Sequence, residues 1–188
     1  NGRPLGLAFA KAPLFADAPD TVSPPPTDAG QAQPSEQTLI VADAEQGLLA
    51  IDPNGRLTVL THGAGDAPFA FTDDVDVADD GTIYFTDASS KYGPQEYRND
   101  ILEHGGHGRL LAYDPADKQA RVLVEGLQFA NGIAVGPDER YVLVNETGAY
   151  RVTRYWLKGP KKGQSEVFVD NLPGLPDGIS FNGSDTFW

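Results

Sequence analysis

The chain has no cysteine and no methionine, only three histidines, and 14 lysines and arginines against 27 aspartates and glutamates. Without cysteine there can be no disulfide, no thiolate metal site and no cysteine nucleophile. The acid excess leaves a formal charge of −13 over 188 residues. Such a field repels phosphate backbones and argues against nucleic acid as a partner. It tolerates a cation, although an acidic surface also serves simply to keep a protein in solution. No apolar run approaches the roughly 18 residues of a membrane-spanning helix, and no leader pattern is visible. The residues in hand leave compartment and oligomeric state open, and any membrane anchor is expected from segments outside them. Hydrophobic residues at 40% and aromatics at 10% suit a globular domain with a packed core.

One unit recurs along the chain. Its elements are a short apolar strand, a polar turn, a second apolar strand and a further strand pair. Copies begin at "LGLAFA", "DDVDVADDGTIYFTD" and "NGIAVGPDERYVLVNET", and a fourth opens at "DGISFNGSDTFW". Turn signals "DPNG", "ADDG", "DPAD" and "GPDE" separate the strands. Four strands per copy and a period of roughly 40 to 50 residues predict an all-β fold, a β-propeller. The expected blades cover residues 1–61, 71–127 and 129–172, with 173–188 starting the next. The termini, "NGRPLG" and a final strand pattern, read as those of a piece of a longer chain.

Two insertions interrupt the period. Residues 10–38 are rich in proline and polar residues, with Pro24, Pro25 and Pro26 at their centre, and are expected to be extended. Residues 87–108, "DASSKYGPQEYRNDILEHGGHG", include a stretch with one or two turns of helix in "QEYRNDILEH". In an antiparallel blade successive loops alternate between the two ends. The first insertion should therefore lie away from the end where the first strands begin, and residues 89–107 should lie over that end.

Asp73, Asn131 and Asp177 each stand just before the first strand of a repeat. First strands line the channel of a propeller, so three oxygen-bearing side chains are expected to converge on its axis. Carboxylate and amide oxygens suit Ca²⁺ or another hard cation. The competing reading is that Asn131-Gly132 and Asp177-Gly178 shape turns; Asp74 is a neighbouring carboxylate that either replaces Asp73 or is solvated. Tyr92, Tyr97, His104 and His107 fall in the insertion over the axis and are candidates for the wall of a small-molecule pocket. The two histidines suit acid–base chemistry or a polar loop. Glu146, at the end of a second strand, is a candidate base or a capping residue. No phosphate-binding glycine loop and no GxSxG elbow are found.

The segments "GRPLGLAF", "LIVADAEQGLLAIDPNG", "IYFTDASSKY", "HGRLLAYDP", "FANGIAV" and "RYWLKGPKKGQSEVFVDNLPGLPDGI" together resemble the strictosidine synthase-like family, which takes in the adipocyte plasma membrane-associated proteins. The resemblance covers nearly all of the chain except the proline-rich insertion. It implies a six-bladed β-propeller related to gluconolactonases and paraoxonases, of which this chain covers blades two to four and the opening of blade five. It also implies a calcium-assisted hydrolase of esters or lactones, of arylesterase or lactonase type. Asn131 in "FANG" and Asp177 in "LPDG" match ligand positions of the metal-dependent relatives. Asp73 stands where they usually carry Asn, and a further Glu ligand would belong to blade one. Two alternatives remain open. One is amine–aldehyde condensation through a Glu of a late blade outside these residues, and the other is a non-enzymatic binding platform. The 188-residue piece by itself is expected to be poorly stable and inactive.

Overall fold

A computed structural model of the chain describes residues 2–10 and 37–188. The proline-rich insertion, from 11 to 36, lies outside the described residues, so its expected position is not addressed. Three four-stranded antiparallel sheets follow one another along the chain. The first comprises β1 (Pro4–Phe9), β2 (Leu39–Asp43), β3 (Gly47–Ile51) and β4 (Leu57–Thr61). A small hairpin, β5 (Gly63–Ala64) with β6 (Ala67–Pro68), leads on. The second sheet holds β7 (Thr72–Val77), β8 (Ile83–Asp87), β9 (Gly108–Asp114) and β10 (Gln119–Leu127), and between β8 and β9 runs α1 (Tyr97–Glu103). The third holds β11 (Ala130–Val135), β12 (Tyr141–Glu146), β13 (Arg151–Trp156) and β14 (Ser165–Val169). Beyond it, Phe181 bridges Phe187.

Each sheet is a meander in which every strand pairs with its sequence neighbour. Short turns led by aspartate reverse the chain. Asp52 Oδ1 accepts from the Asn54 and Arg56 amides, and Asp80 Oδ1 from the Thr82 amide. Carboxylates that hydrogen-bond their own backbone two residues on are what make Asp a turn residue.

The sheets stack face to face. Adjacent residues on a strand point to opposite faces, and in the middle sheet both faces are buried. Phe85 and Leu111 pack with Ile40 and Leu48 of the first sheet. Tyr84 and Leu110, one residue away on the same strands, pack with Ile133, Val142 and Val144 of the third. This is why "IYF" and "LLAY" read as unbroken apolar runs instead of alternating ones. Burying a side chain such as Phe85 fully is worth about 1.5–3 kcal/mol.

The inner strands β1, β7 and β11 are the edges of their sheets, and each contacts the next along the stack. Two aspartates join the edges. Asp74 Oδ2 accepts from the Ile133 amide at 2.9 Å, and Asp76 Oδ2 accepts from the Val135 amide at 2.7 Å. Residues 74 and 76 share one face of β7, so their carboxylates satisfy alternate edge N–H groups of β11.

Candidate functional site

All three inner strands carry the same irregularity at the same place. In β7, Thr72 pairs with Asp87 and Val75 with Phe85, so Asp73 and Asp74 together oppose Thr86. In β11, Ala130 pairs with Glu146 and Ile133 with Val144, so Asn131 and Gly132 oppose Asn145. In β1, Leu5 and Gly6 oppose Ala42. Each is a β-bulge, which bends the strand and re-aims a side chain. Leu5, Asp73 and Asn131 are therefore structurally equivalent.

A hydrogen bond common to two sheets extends the equivalence to Asp177. Thr86 Oγ1, opposite the first of these polar bulges, donates to the Asn131 carbonyl at 2.7 Å. Asn145 Nδ2, opposite the second, donates to the Asp177 carbonyl at 2.8 Å. The Gly132 amide also donates to the Asp177 carbonyl, and Thr147 Oγ1 donates to the Pro176 carbonyl. Thr86 and Asn145 thus hold the backbone of Asn131 and Asp177 in the next unit from behind, a role the sequence reading did not assign. The signal was available in their position one residue before Asp87 and Glu146.

Gly132 is required by proximity. A Cβ there would lie 2.5 Å from the Asp177 carbonyl oxygen and 2.6 Å from the Ile179 nitrogen. Gly6, its counterpart in β1, is pressed in the same way against the backbone of Asp74 and Val75. The Asn-Gly pair is therefore neither a hairpin tip nor a positive-φ turn, since Gly132 has no positive φ.

Asp73 is 8% exposed, and no donor among the described residues hydrogen-bonds its carboxylate. Burial, then the charges of Asp74 and Asp177, push its pKa up to about 7, and Arg3 opposes them. Asp177 is exposed and Asn131 half-buried. Asp74 is not an equivalent free carboxylate, because Val75 and Ile133 donate to its two oxygens. Arg3, also missed from sequence, reaches the Pro94 carbonyl and lies on the same end of the sheets as Asp73.

The residues present fit a hard cation in kind. One carboxylate, Asp73, and one amide, Asn131, sit at matched bulges, the Asp177 carboxylate follows in the next unit, and the buried Asp73 lacks a donor. They do not complete a shell. Among the described residues no three His, Cys, Asp or Glu side chains form a metal-holding group, and Ca²⁺ takes six to eight oxygens.

Residues 88–107 form a cap at the Asp73 end of the sheets, as loop alternation predicts. Tyr97 of α1 packs edge-on against Phe71 at 6.4 Å and beside Phe129 at 6.2 Å, over Ala44 and Ala88. Lys91 and the Tyr92 hydroxyl both donate to Glu103, and His107 Nε2 lies 3.6 Å from it. Ser89 Oγ donates to the buried Asp100. His104 is the exposed left-handed cap of α1, φ 56°. The structure thus gathers Tyr92 and His107 around Glu103 and uses Tyr97 to seat the helix. No hydrogen bond, ion pair or ring contact among the described residues joins these side chains to Asp73, Asn131 or Asp177.

Glu146 requires a correction as a candidate base. It is 0% exposed. Its oxygens accept from the Gln128 amide at 2.8 Å, from Arg151 at 2.7 and 2.9 Å, and from Thr153. A carboxylate so enclosed has no lone pair free for substrate. Asp87, at the same register position in the middle sheet, makes the same kind of closure with Arg109, Ala70 and Phe71.

Comparison with known structures defines the class first. The chain superposes on a gluconolactonase of Xanthomonas campestris with a TM-score of 0.64 and 23% identity, over 80% of this chain and 51% of that one. It superposes on a calcium-binding protein, regucalcin, of Agrobacterium tumefaciens with a TM-score of 0.59 and 19% identity, over 84% and 50% respectively. Three sheets matching half of such a chain make this a six-bladed β-propeller arc of about three blades with the opening of a fourth. The family follows from sequence. Residues 73–160 match the strictosidine synthase family model. Strictosidine synthase-like protein 6 of Arabidopsis thaliana is 43% identical over 189 residues, which is 100% of this chain and 44% of that protein. The chain belongs to the strictosidine synthase-like family and spans somewhat less than half the length of that relative.

Proposed function

We propose that the intact protein is a calcium-assisted hydrolase of esters or lactones, with the cation held in part by Asp73, Asn131 and Asp177. The observation that carries this reading is Asp73. A carboxylate is buried beside Asp74 and Asp177 with no donor, an arrangement that is unfavourable by itself and favourable around a cation. The likeness to a gluconolactonase and to a calcium-binding regucalcin supports the choice of ion and of substrate class. A bound calcium would polarise the substrate carbonyl and stabilise the oxyanion that develops on it. This chain's own residues supply the setting. Thr86 and Asn145 hold the backbone of Asn131 and Asp177, and Arg3 and the cap border the same end of the propeller. A condensing enzyme of the strictosidine synthase type is the reading favoured by the family match alone.

The test uses the full-length protein, with calorimetric calcium titration and turnover of phenyl acetate and an aliphatic δ-lactone, with and without chelator. Asp73→Ala or Asp177→Ala is expected to weaken calcium binding and turnover on the order of tenfold or more. Full hydrolytic activity in excess chelator would overturn the metal assignment. Metal-independent amine–aldehyde condensation without ester or lactone turnover would favour the synthase reading.

A further inference from the structure

A cavity of about 340 Å³ opens at the end of the blades away from Asp73, between the second and third sheets. Its residues lie after the end of β7, at the start of β8 and in the β13–β14 connection, remote from the bulge at Asp73. Both of its walls come from this chain. Ala78, Ala112 and Leu123 make one side and Leu157 the other, continuing the apolar core between these sheets.

Two tyrosines are among its lining residues. Tyr84 is 9% exposed, and the half-buried Tyr155 of β13 lines the same cavity. Neither hydroxyl has a hydrogen-bond partner among the described residues. Water or a ligand is left to satisfy these two. The surrounding charges are mixed. Glu139 is paired with Lys158 at 3.2 Å, Asp80 caps its own turn through Thr82, and Lys162 stands at the rim. Burial, then Asp80 and Glu139, push the Tyr84 hydroxyl up to about 12, so it remains a donor at neutral pH.

We propose that this inter-blade cleft is a second binding site, for a small neutral molecule with a compact apolar body and one hydroxyl or carbonyl oxygen. The apolar walls take the body. The two tyrosine hydroxyls converge on the oxygen, one able to donate and the other to accept or donate. A formal anion is disfavoured by Asp80 and Glu139, and a cation by Lys158 and Lys162. The volume is at the small end of ligand pockets, which suits a single-ring compound. The proposal is independent of the calcium reading, since no residue is shared.

The probe is 4-fluorophenol, followed by fluorine NMR on the full-length protein, with 4-fluorobenzoate and 4-fluorobenzylamine as charged counterparts. Saturable binding of the phenol is expected, with each charged probe at least roughly tenfold weaker. Tyr84→Phe and Tyr155→Phe keep the rings and should each weaken binding roughly three- to tenfold, the loss of one hydrogen bond. Ala112→Phe should fill the cleft and abolish binding. Unchanged affinity in both tyrosine variants, or benzoate binding as tightly as the phenol, would overturn the proposal.

Discussion

Asp73 has an energetic sign that can be worked out. Its folded pKa stands at about 7 against the ordinary aspartate value of 3.8, so between those pH values the folded chain holds a proton that the unfolded chain has lost. Stability must fall as pH rises through that window and reach its full penalty above about pH 7, at most about 4 kcal/mol. Asp73→Asn should therefore raise the unfolding free energy of the metal-free protein at pH 7.5 and flatten its decline between pH 4 and 7. Equal pH slopes in urea titrations of the two proteins would show the carboxylate to be unstrained. If the proposed calcium site is right, the same linkage predicts an affinity that rises from pH 5 to 8, because the ion would displace that proton. Residue identity explains as much at the neighbouring positions. Leu5 occupies the bulge in β1 and offers no oxygen. Gly132 has no side chain because the next unit's backbone occupies the space.

At the scale of elements, a repeated closure ties the second strand of each blade to what surrounds it. Asp43, Asp87 and Glu146 end β2, β8 and β12 at the same register position. Asp43 accepts from the Glu45 and Gln46 amides. Asp87 and Glu146 reach the loop before their own blade and pair with Arg109 and Arg151, each directly opposite on the third strand. Asp87 is 0% and Arg109 7% exposed at the side chain. Removing the cation alone leaves a buried carboxylate unpaired, which typically costs about 3–5 kcal/mol. Arg109→Leu is expected to lower the denaturation midpoint accordingly. A change below about 1 kcal/mol in a urea titration would show that Ala70 and Phe71 suffice to hold Asp87. The cap is fastened differently, at its surface. Lys91 and Tyr92, hydrogen-bonded to Glu103, hold that carboxyl at a pKa of about 2, while the aromatic trio of Phe71, Tyr97 and Phe129 seats the helix beneath it.

For the whole molecule, stacking decides which faces are dry. The middle blade is covered on both sides, but the outer ones are not. Leu7, Phe9, Leu57 and Val59 of the first sheet are 60, 52, 49 and 41% exposed, and Val167, Phe168 and Val169 of the third 49, 43 and 38%. Apolar sheet faces of this kind promote association. The 188-residue chain expressed alone is expected to self-associate in sedimentation velocity, and to turn over no ester or lactone. A monomer with a cooperative melt and measurable turnover would contradict both expectations.

Much of this arrangement was legible in the sequence. Aspartate-led turns and paired apolar strands at a regular period dictate four-stranded repeats, because strand alternation and turn chemistry are local properties. The matched placing of Asp73 and Asn131 at the start of their blades was visible for the same reason, and so was the helix in "QEYRNDILEH", observed as α1 (Tyr97–Glu103). The sequence could not say which carboxylates are free. Asp73 and Asp74 are adjacent and chemically identical, yet a bulge leaves one without a donor and aims the other at the Ile133 amide. Glu146 looked available until Arg151, Thr153 and Gln128 were brought around it. The tyrosines of the second cleft, far apart in sequence, meet only where two blades stack. Local chemistry determined the repeat, whereas availability, charge state and convergence depend on contacts between blades, which only the tertiary structure supplies.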